Sequence, residues 1–287
     1  MRRRAVAAVA AEPRNPAQAL LWRLSPSDWA RDVLDLDLAD WQQDIADRRG
    51  ELTVLIHRQA GKTFTAAIIA AHEIVQRRST SVVLAPTQRQ SAELIRRTRE
   101  NVLKAGSTIT VDNAFSLEIE GGGRVVGLPG TDDASIRGYS VDGAVIIDEA
   151  ARVSDELYRA ARPLRARFPR SRLVLLSTSW MTAGFFWEIA EGPLMGSMPV
   201  VRLRPDDTGV LAPDFLAAER RSLGSEAYAR EYELTFSRQS GTPLFDLNTI
   251  DSLFSQEPGY ADPFGSASDH VVHARRLVDT SWLGGCD

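Results

Sequence analysis

The chain has 287 residues, with 44% apolar and 25% charged residues, enough for one large α/β domain with a small appendage. A formal net charge of −4 argues against a protein that coats nucleic acid non-specifically and leaves room for a local basic patch. A single cysteine, Cys286, excludes a disulfide framework and a cysteine metal site and suggests a reducing compartment, and no apolar run is long enough to span a membrane.

The first eleven residues place Arg2, Arg3 and Arg4 ahead of a short Ala-rich run, and Glu12-Pro13-Arg14 follow at once. This reads as a frayed or helical N-terminal arm rather than a signal peptide. Ser25-Pro26-Ser27-Asp28 is a helix start, and the stretch to Arg49 reads as one or two amphipathic helices. Leu52 to Ile56 is a buried-strand pattern that runs straight into Gly61-Lys62-Thr63. An Ala- and Ile-rich helix is expected from Thr63 to Arg77. Ser81 to Pro86 is a second buried strand, and Gln88 to Lys104 an amphipathic helix. Thr108 to Leu128 alternates about Gly121-Gly122-Gly123, which predicts one hairpin of two strands.

Ala144 to Asp148 and Arg172 to Ser177 are a third and a fourth buried strand. Apolar strands alternating with helices predict a mostly parallel sheet covered on both faces. Helices near Pro213–Leu223 and Ser225–Glu233 suggest a small helical subdomain. From about Leu247 the sequence is rich in Pro, Gly, Ser and Asp and reads as linker or tail. The expected division is an N-terminal helical arm with an adenine-binding motif at 1–50, a core at 51–200, a helical lid at 201–245 and a linker or tail at 246–287.

Arg58-Gln59-Ala60-Gly61-Lys62-Thr63 lies between a buried strand and a helix, the setting in which a phosphate loop is credible. Backbone N–H groups and a helix N-terminus present positive potential to phosphates. In that reading Lys62 reaches the β- and γ-oxygens, Thr63 holds Mg²⁺, and Phe64 opens the helix beside the nucleotide. The usual first glycine is replaced by Ile56. The strand Val145-Ile146-Ile147 delivers Asp148 and Glu149 at its C-terminal end, where open α/β sheets bind ligands. Asp148 is the candidate Mg²⁺ ligand and Glu149 the general base, or the residue that positions the attacking water. The competing reading is that both acids cap the next helix. Ser177-Thr178-Ser179 ends the fourth strand, where Thr178 could sense the γ-phosphate or simply end a strand. Gln42 of Trp41-Gln42 could read an adenine edge with an apolar neighbour on the base. The alternative is a surface glutamine beside a buried tryptophan.

These motifs together resemble the ATPase domain of the large terminase subunit of tailed bacteriophages, over about Trp41 to Phe245. That family's phosphate loop commonly reads Arg-Gln-x-Gly-Lys-Thr without the first glycine, as Arg58 to Thr63 do. Its aromatic-Gln adenine motif is matched by Trp41-Gln42, and its Asp-Glu-Ala by Asp148-Glu149-Ala150. Its coupling motif is matched by Ser177-Thr178-Ser179 followed by Gly184-Phe185-Phe186, its Arg-Gly pair by Arg137-Gly138, and its helical lid by Phe215 to Phe236. The resemblance implies a P-loop NTPase fold of the RecA/ASCE kind. It implies ATP and Mg²⁺ as cofactors and double-stranded DNA as the translocated partner. It also implies a homo-oligomeric ring at the portal protein of a procapsid, a small terminase subunit as partner, and a place at the portal vertex in the host cytoplasm. Hydrolysis between neighbouring subunits needs an arginine acting in trans, worth about 10³–10⁵ in rate. Arg137 is the candidate, with a salt bridge to Asp132 or Asp133 as the alternative, and Arg58 the candidate within its own site.

Large terminases usually add a nuclease with clustered carboxylates, and only about 40 residues follow Phe245 here. Asp246, Asp251, Asp262, Asp269 and Asp279 are held by no strand pattern, and His270, His273 and Cys286 lack the closed spacing of a metal site. No nuclease activity is expected from this chain, which could be an excised domain, a truncated product or a motor with a separate nuclease. The alternatives are a helicase-like DNA-dependent ATPase, for which the chain is short of a second motor lobe, and a non-catalytic prophage remnant.

Overall fold

The computed structural model describes residues 12–129, 136 and 138–238. The arm at 1–11, Arg137 with Asp132 and Asp133, and everything from 239 onward, including the tail acids, His270, His273 and Cys286, lie outside the described residues.

Three helices come first, α1 (Pro16–Leu24), α2 (Pro26–Leu34) and α3 (Asp40–Asp47). Asn15 and Ser25 cap the first two by accepting the N–H of Gln18 and of Asp28, and each helix opens on a proline whose missing N–H would have had no helical partner. Then β1 (Glu51–Ile56), α4 (Lys62–Gln76), β2 (Thr80–Ala85) and α5 (Gln88–Lys104) follow the expected order. The segment expected as one hairpin holds three strands, β3 (Ile109–Asn113), β4 (Ser116–Ile119) and β5 (Arg124–Pro129). After β6 (Ala144–Asp148) come a 3-10 turn at Ala150–Arg152, α6 (Asp155–Ala161), a second 3-10 turn at Arg162–Arg165, and β7 (Arg172–Ser177). The remaining elements are α7 (Gly184–Ala190), β8 (Val200–Leu203), α8 (Pro205–Thr208), α9 (Pro213–Leu223) and α10 (Ser225–Tyr232).

The eight strands among the described residues join one sheet in the order β3-β4-β5-β2-β6-β7-β1-β8. The pairs β2–β5, β2–β6, β6–β7, β7–β1 and β1–β8 are parallel, and only β3–β4 and β4–β5 are antiparallel. The glycine turn joins β4 to β5 as expected. A Cβ at Gly123 would stand 2.0 Å from the Ile74 carbonyl oxygen, so only glycine lets this turn press against α4. The order puts β7 between β1 and β6.

Side chains alternate cleanly across the sheet. Val54, Ile56, Ile146, Val174 and Leu176 point into one apolar cluster, and Leu55, Val145, Ile147, Leu173 and Leu175 into the other. Both faces are covered, which is why these strands read as unbroken apolar runs. Every residue of α4 from Thr65 to Val75 is buried. The sheet takes one side of this helix, and α1, α2, α3 and α5 take the rest. The N-terminal helices therefore form a third layer, and α4 is apolar all round because no side of it meets water. Trp29 is fully buried in that layer, edge-on to His72 with ring centroids 5.6 Å apart.

One buried charge cluster ties this layer to the sheet. The Glu73 carboxylate, 1% exposed, lies 2.7 Å from Arg49, 3.0 Å from Arg77 and 3.9 Å from Arg172. Arg172 is itself 1% exposed and also donates to the Ile45 carbonyl at 3.2 Å. Its burial drags the guanidinium down to about 10, with Glu73 opposing the shift.

Candidate active site

β1 delivers the chain to a tight loop at its C-terminal end. Ile56 is still strand, fully buried and paired with Leu203. The turn is made three residues later, by Gln59 at φ 63° and Gly61 at φ 98°. The glycine missing from the first motif position is thus not required, because that position is not part of the turn. Gly61 is required, since its φ is one that L side chains rarely adopt. It caps the N-terminus of α4, a 15-residue helix, so the first-turn N–H groups at Lys62, Thr63 and Phe64 face the loop. Together with the helix dipole they form an anion-receptive concavity.

Asp148 ends β6, one strand removed from β1, with 4% of its surface exposed. The Thr63 hydroxyl donates to its Oδ2 at 2.9 Å, and the Glu149 N–H donates to its Oδ1 at 3.0 Å. Glu149 adopts a left-handed backbone, φ 51° and ψ 43°, which a non-glycine residue holds at a cost of about 1–3 kcal/mol. Its carboxylate reaches to 3.7 Å from the Lys62 ammonium. Burial first, and then the Glu149 charge, push the Asp148 carboxyl up to about 6, with Lys62 and the Thr63 hydroxyl pulling the other way. The sheet edge thus unites Lys62, Thr63, Asp148 and Glu149, residues up to 87 positions apart in the sequence. A hydroxyl and a carboxylate this close offer two hard oxygens, the donor chemistry that suits Mg²⁺.

Gln42 belongs to this constellation. Its Oε1 accepts the Ala39 N–H at 3.1 Å, its Nε2 donates to Thr65 Oγ1 at 3.4 Å, and the same nitrogen stands over Gly61. Trp41 and Phe64 are half-buried and pack on the core under α4. Ala60 is buried, while the Arg58 and Gln59 side chains are exposed. Thr178 is buried just beyond β7. Arg137 lies outside the described residues.

Sequence reasoning assigned to no residue the task of holding the phosphate loop from behind. The Arg58 N–H donates to the Glu231 carbonyl at 2.8 Å, which fastens the loop to α10. The Glu231 carboxylate lies 3.4 Å from Arg152, in the turn that follows Glu149. The Arg152 and Arg230 guanidiniums lie over the Trp180 ring at 3.9 and 4.4 Å. The Ser179 hydroxyl lies 2.6 and 2.9 Å from the Arg230 and Thr235 carbonyls. His57, buried at the end of β1, contacts the Arg58 carbonyl through Nδ1 and the Thr208 hydroxyl through Nε2, both at 2.7 Å. Its burial lowers the imidazole's proton affinity, and Lys62 adds to that. A neutral ring with the proton on Nδ1 satisfies both contacts, since a carbonyl can only accept. The one available signal was the Glu231-Tyr232 pair inside the lid-like stretch.

A strand–loop–helix with Lys62 and Thr63, facing acids on a strand once removed, defines a P-loop NTPase of the ASCE type. The family model for the N-terminal part of the terminase large subunit, T4-like virus type, matches residues 54–250, and the chain belongs to that family, one of phage DNA-packaging motors. Among solved structures, the fold is similar to the large terminase ATPase domain of Thermus phage P74-26, with a TM-score of 0.66 and 19% identity, over 74% of this chain and 99% of that one. It is similar to the large terminase of a second thermophilic bacteriophage, with a TM-score of 0.55 and 14% identity, over 76% of this chain and 53% of that one. That second terminase has also been solved with ADP and with ATP-γ-S. No curated protein matches the chain. Among the described residues no helix is long and apolar enough to cross a membrane.

Proposed function

We propose that this chain binds and hydrolyses ATP and couples hydrolysis to movement of double-stranded DNA into a procapsid. The observation that carries the reading is the convergence of Lys62, Thr63, Asp148 and Glu149 at one sheet edge. The α4 N-terminus and Lys62 bind the β- and γ-phosphates. Thr63 and Asp148 hold Mg²⁺, which when bound neutralises charge on the phosphates. Glu149 takes the proton of the attacking water or orients it. Gln42 stands where it can recognise the base, with Trp41 shaping that side, and Gln59, Ala60 and Phe64 complete the pocket. Thr178, at the end of β7, faces the same edge of the sheet and is the proposed γ-phosphate sensor.

Arg58 is proposed to act within its own site and Arg137 to complete a neighbour's. That requires a homo-oligomeric ring, docked on the portal protein at the procapsid vertex in the host cytoplasm, with a small terminase subunit supplying the DNA. The division into an arm at 1–50, a core at 51–200, a lid at 201–245 and a tail at 246–287 is part of this reading. The test is ATP turnover with Mg²⁺, duplex DNA and portal-bearing procapsids, for the parent chain and Glu149→Ala. DNA-stimulated turnover that Glu149→Ala abolishes is expected. No turnover under those conditions would sink the motor reading.

A further inference from the structure

The opposite edge of the sheet, where β2, β6 and β7 begin, carries a hollow of about 430 Å³ walled by Arg77, Asp142 and the loop 167–171. We propose that this hollow grips the phosphate backbone of duplex DNA. The inference rests on the motor reading above and adds to it the place where the DNA is held.

The loop is built to hold its shape. Arg165 is buried beneath it, donating to the Ser171 carbonyl at 2.7 Å, to Ser171 Oγ at 3.2 Å and to the Glu51 carboxylate at 2.7 Å. Two successive turns follow, with the Phe168 N–H donating to the Arg165 carbonyl at 2.8 Å and the Ser171 N–H to the Phe168 carbonyl at 2.9 Å. The scaffold displays Arg167, Phe168 and Arg170 outward, so little ordering is left to be done on binding.

The charge on display is uncommitted. Arg96, Arg97, Arg99 and Arg124 each meet a carboxylate, whereas Arg167 and Arg170 are exposed and have no acidic partner among the described residues. The one acid on the wall, Asp142, already accepts the Thr80 N–H at 2.7 Å. Phe168, 40% exposed between the two arginines, adds an apolar face for deoxyribose. Guanidiniums pair with phosphate in a two-pronged geometry, and sequence-blind binding needs only such contacts. β7 starts at Arg172, directly after the loop, and ends at Ser177 beside the nucleotide edge. A rod of about 20 Å thus joins the two ends.

The test is a fluorescence-anisotropy titration of the full chain against a short random-sequence duplex over a range of salt concentrations, for the parent and for Arg167→Ala/Arg170→Ala. Loss of two phosphate contacts is expected to weaken binding about tenfold and to flatten the log–log salt slope by about 1.8. The melting temperature and DNA-free ATP turnover should stay unchanged. Arg14→Ala/Arg221→Ala removes the same charge from exposed positions elsewhere and should leave the slope intact, and Arg167→Lys/Arg170→Lys should keep most of it. Parent-like binding by the double alanine variant overturns the hollow and spares the motor reading. Failure of the parent to bind duplex overturns both. Competition by polyglutamate equal to that by duplex, charge for charge, assigns the hollow to an acidic protein segment and overturns the DNA assignment.

Discussion

The Lys62 ammonium lies 3.7 Å from the Glu149 carboxylate, so the cation proposed to meet phosphate is paired with the acid proposed to meet water. A triphosphate entering the loop competes for the same lysine. Binding and activation of the base are thereby linked through one ion pair, and the two residues are expected to fail in different ways.

Lys62→Ala should weaken ATP binding by roughly 10- to 100-fold, the scale of a lost charged hydrogen bond. Glu149→Gln should keep ATP affinity and lower turnover by about 10²- to 10⁴-fold. Nucleotide titration and steady-state hydrolysis, run side by side, separate the two. Undiminished turnover in Glu149→Gln would remove it from the role of base.

Asp148 titrates at about 6 in the folded chain, above an ordinary aspartate. A carboxyl raised on folding favours the native state below its unfolded value, and that stability is lost as pH rises through the folded value. At pH 7 the ionised, buried Asp148 is therefore a liability of roughly 2–3 kcal/mol in metal-free protein. Asp148→Asn, which keeps an acceptor for the Thr63 hydroxyl, should raise the metal-free melting temperature at pH 7, do so much less at pH 4, and abolish Mg²⁺-dependent hydrolysis. Thermal melts at both pH values with EDTA check this, and a lower melting temperature at pH 7 would count against it.

Glu73 lies within ion-pair distance of three arginines, of which Arg172 is fully buried. Removing it leaves Arg172 buried without a counter-charge, at a cost of about 3–5 kcal/mol. Glu73→Ala should unfold at markedly lower urea. Glu73→Ala combined with Arg172→Met should recover part of the loss, because the uncompensated charge goes too. Urea midpoints for the two variants decide it.

His72 is held neutral by burial, its imidazole brought down to about 3, while Nε2–H donates to the Trp22 carbonyl at 2.8 Å. A histidine lowered on folding contributes stability that is complete above its unfolded value and declines as pH falls toward the folded one. Between about pH 6.5 and 3 the loss approaches 1.4 kcal/mol per pH unit from this residue alone. His72→Gln should start from a lower stability at pH 7 and decline less steeply below pH 6, which equilibrium unfolding at stepped pH would show.

Much of the fold was legible because burial writes itself into sequence. α5 runs from Gln88 to Lys104 and β6 ends at Asp148 as expected, since each has a sharp cap or a fully apolar run. α1 was expected only as an unplaced part of a helical arm, because Leu20, Leu21 and Leu24 are exposed and blur its apolar stripe. β3 was merged into its neighbours, because it shares their alternation and four of its five residues face solvent, so nothing apolar sets it apart. β8 is only four residues long, too short a run to stand out as a strand. At the sheet edge, the convergence of Lys62, Thr63, Asp148 and Glu149 was legible because their residue types in that spacing form a known motif. Glu231, Arg152, Trp180 and His57 were not, because their roles depend on contacts made only after the chain folds. Glu231 meets Arg152 from 79 residues away, and nothing local in either segment records it.

β7 carries neither the lysine nor the acids, yet both flanking strands take their register from it. Leu55 is opposite Ser177 on one side, and Asp148 is opposite Leu176 on the other. The gap between Lys62 and the two acids is therefore calibrated by a third strand, as two arms of a caliper are set by the beam between them. A substitution that merely repacks Val174 or Leu175 could detune hydrolysis while every reacting side chain stays in place. Under the proposed function, a loss of turnover can thus originate in the core.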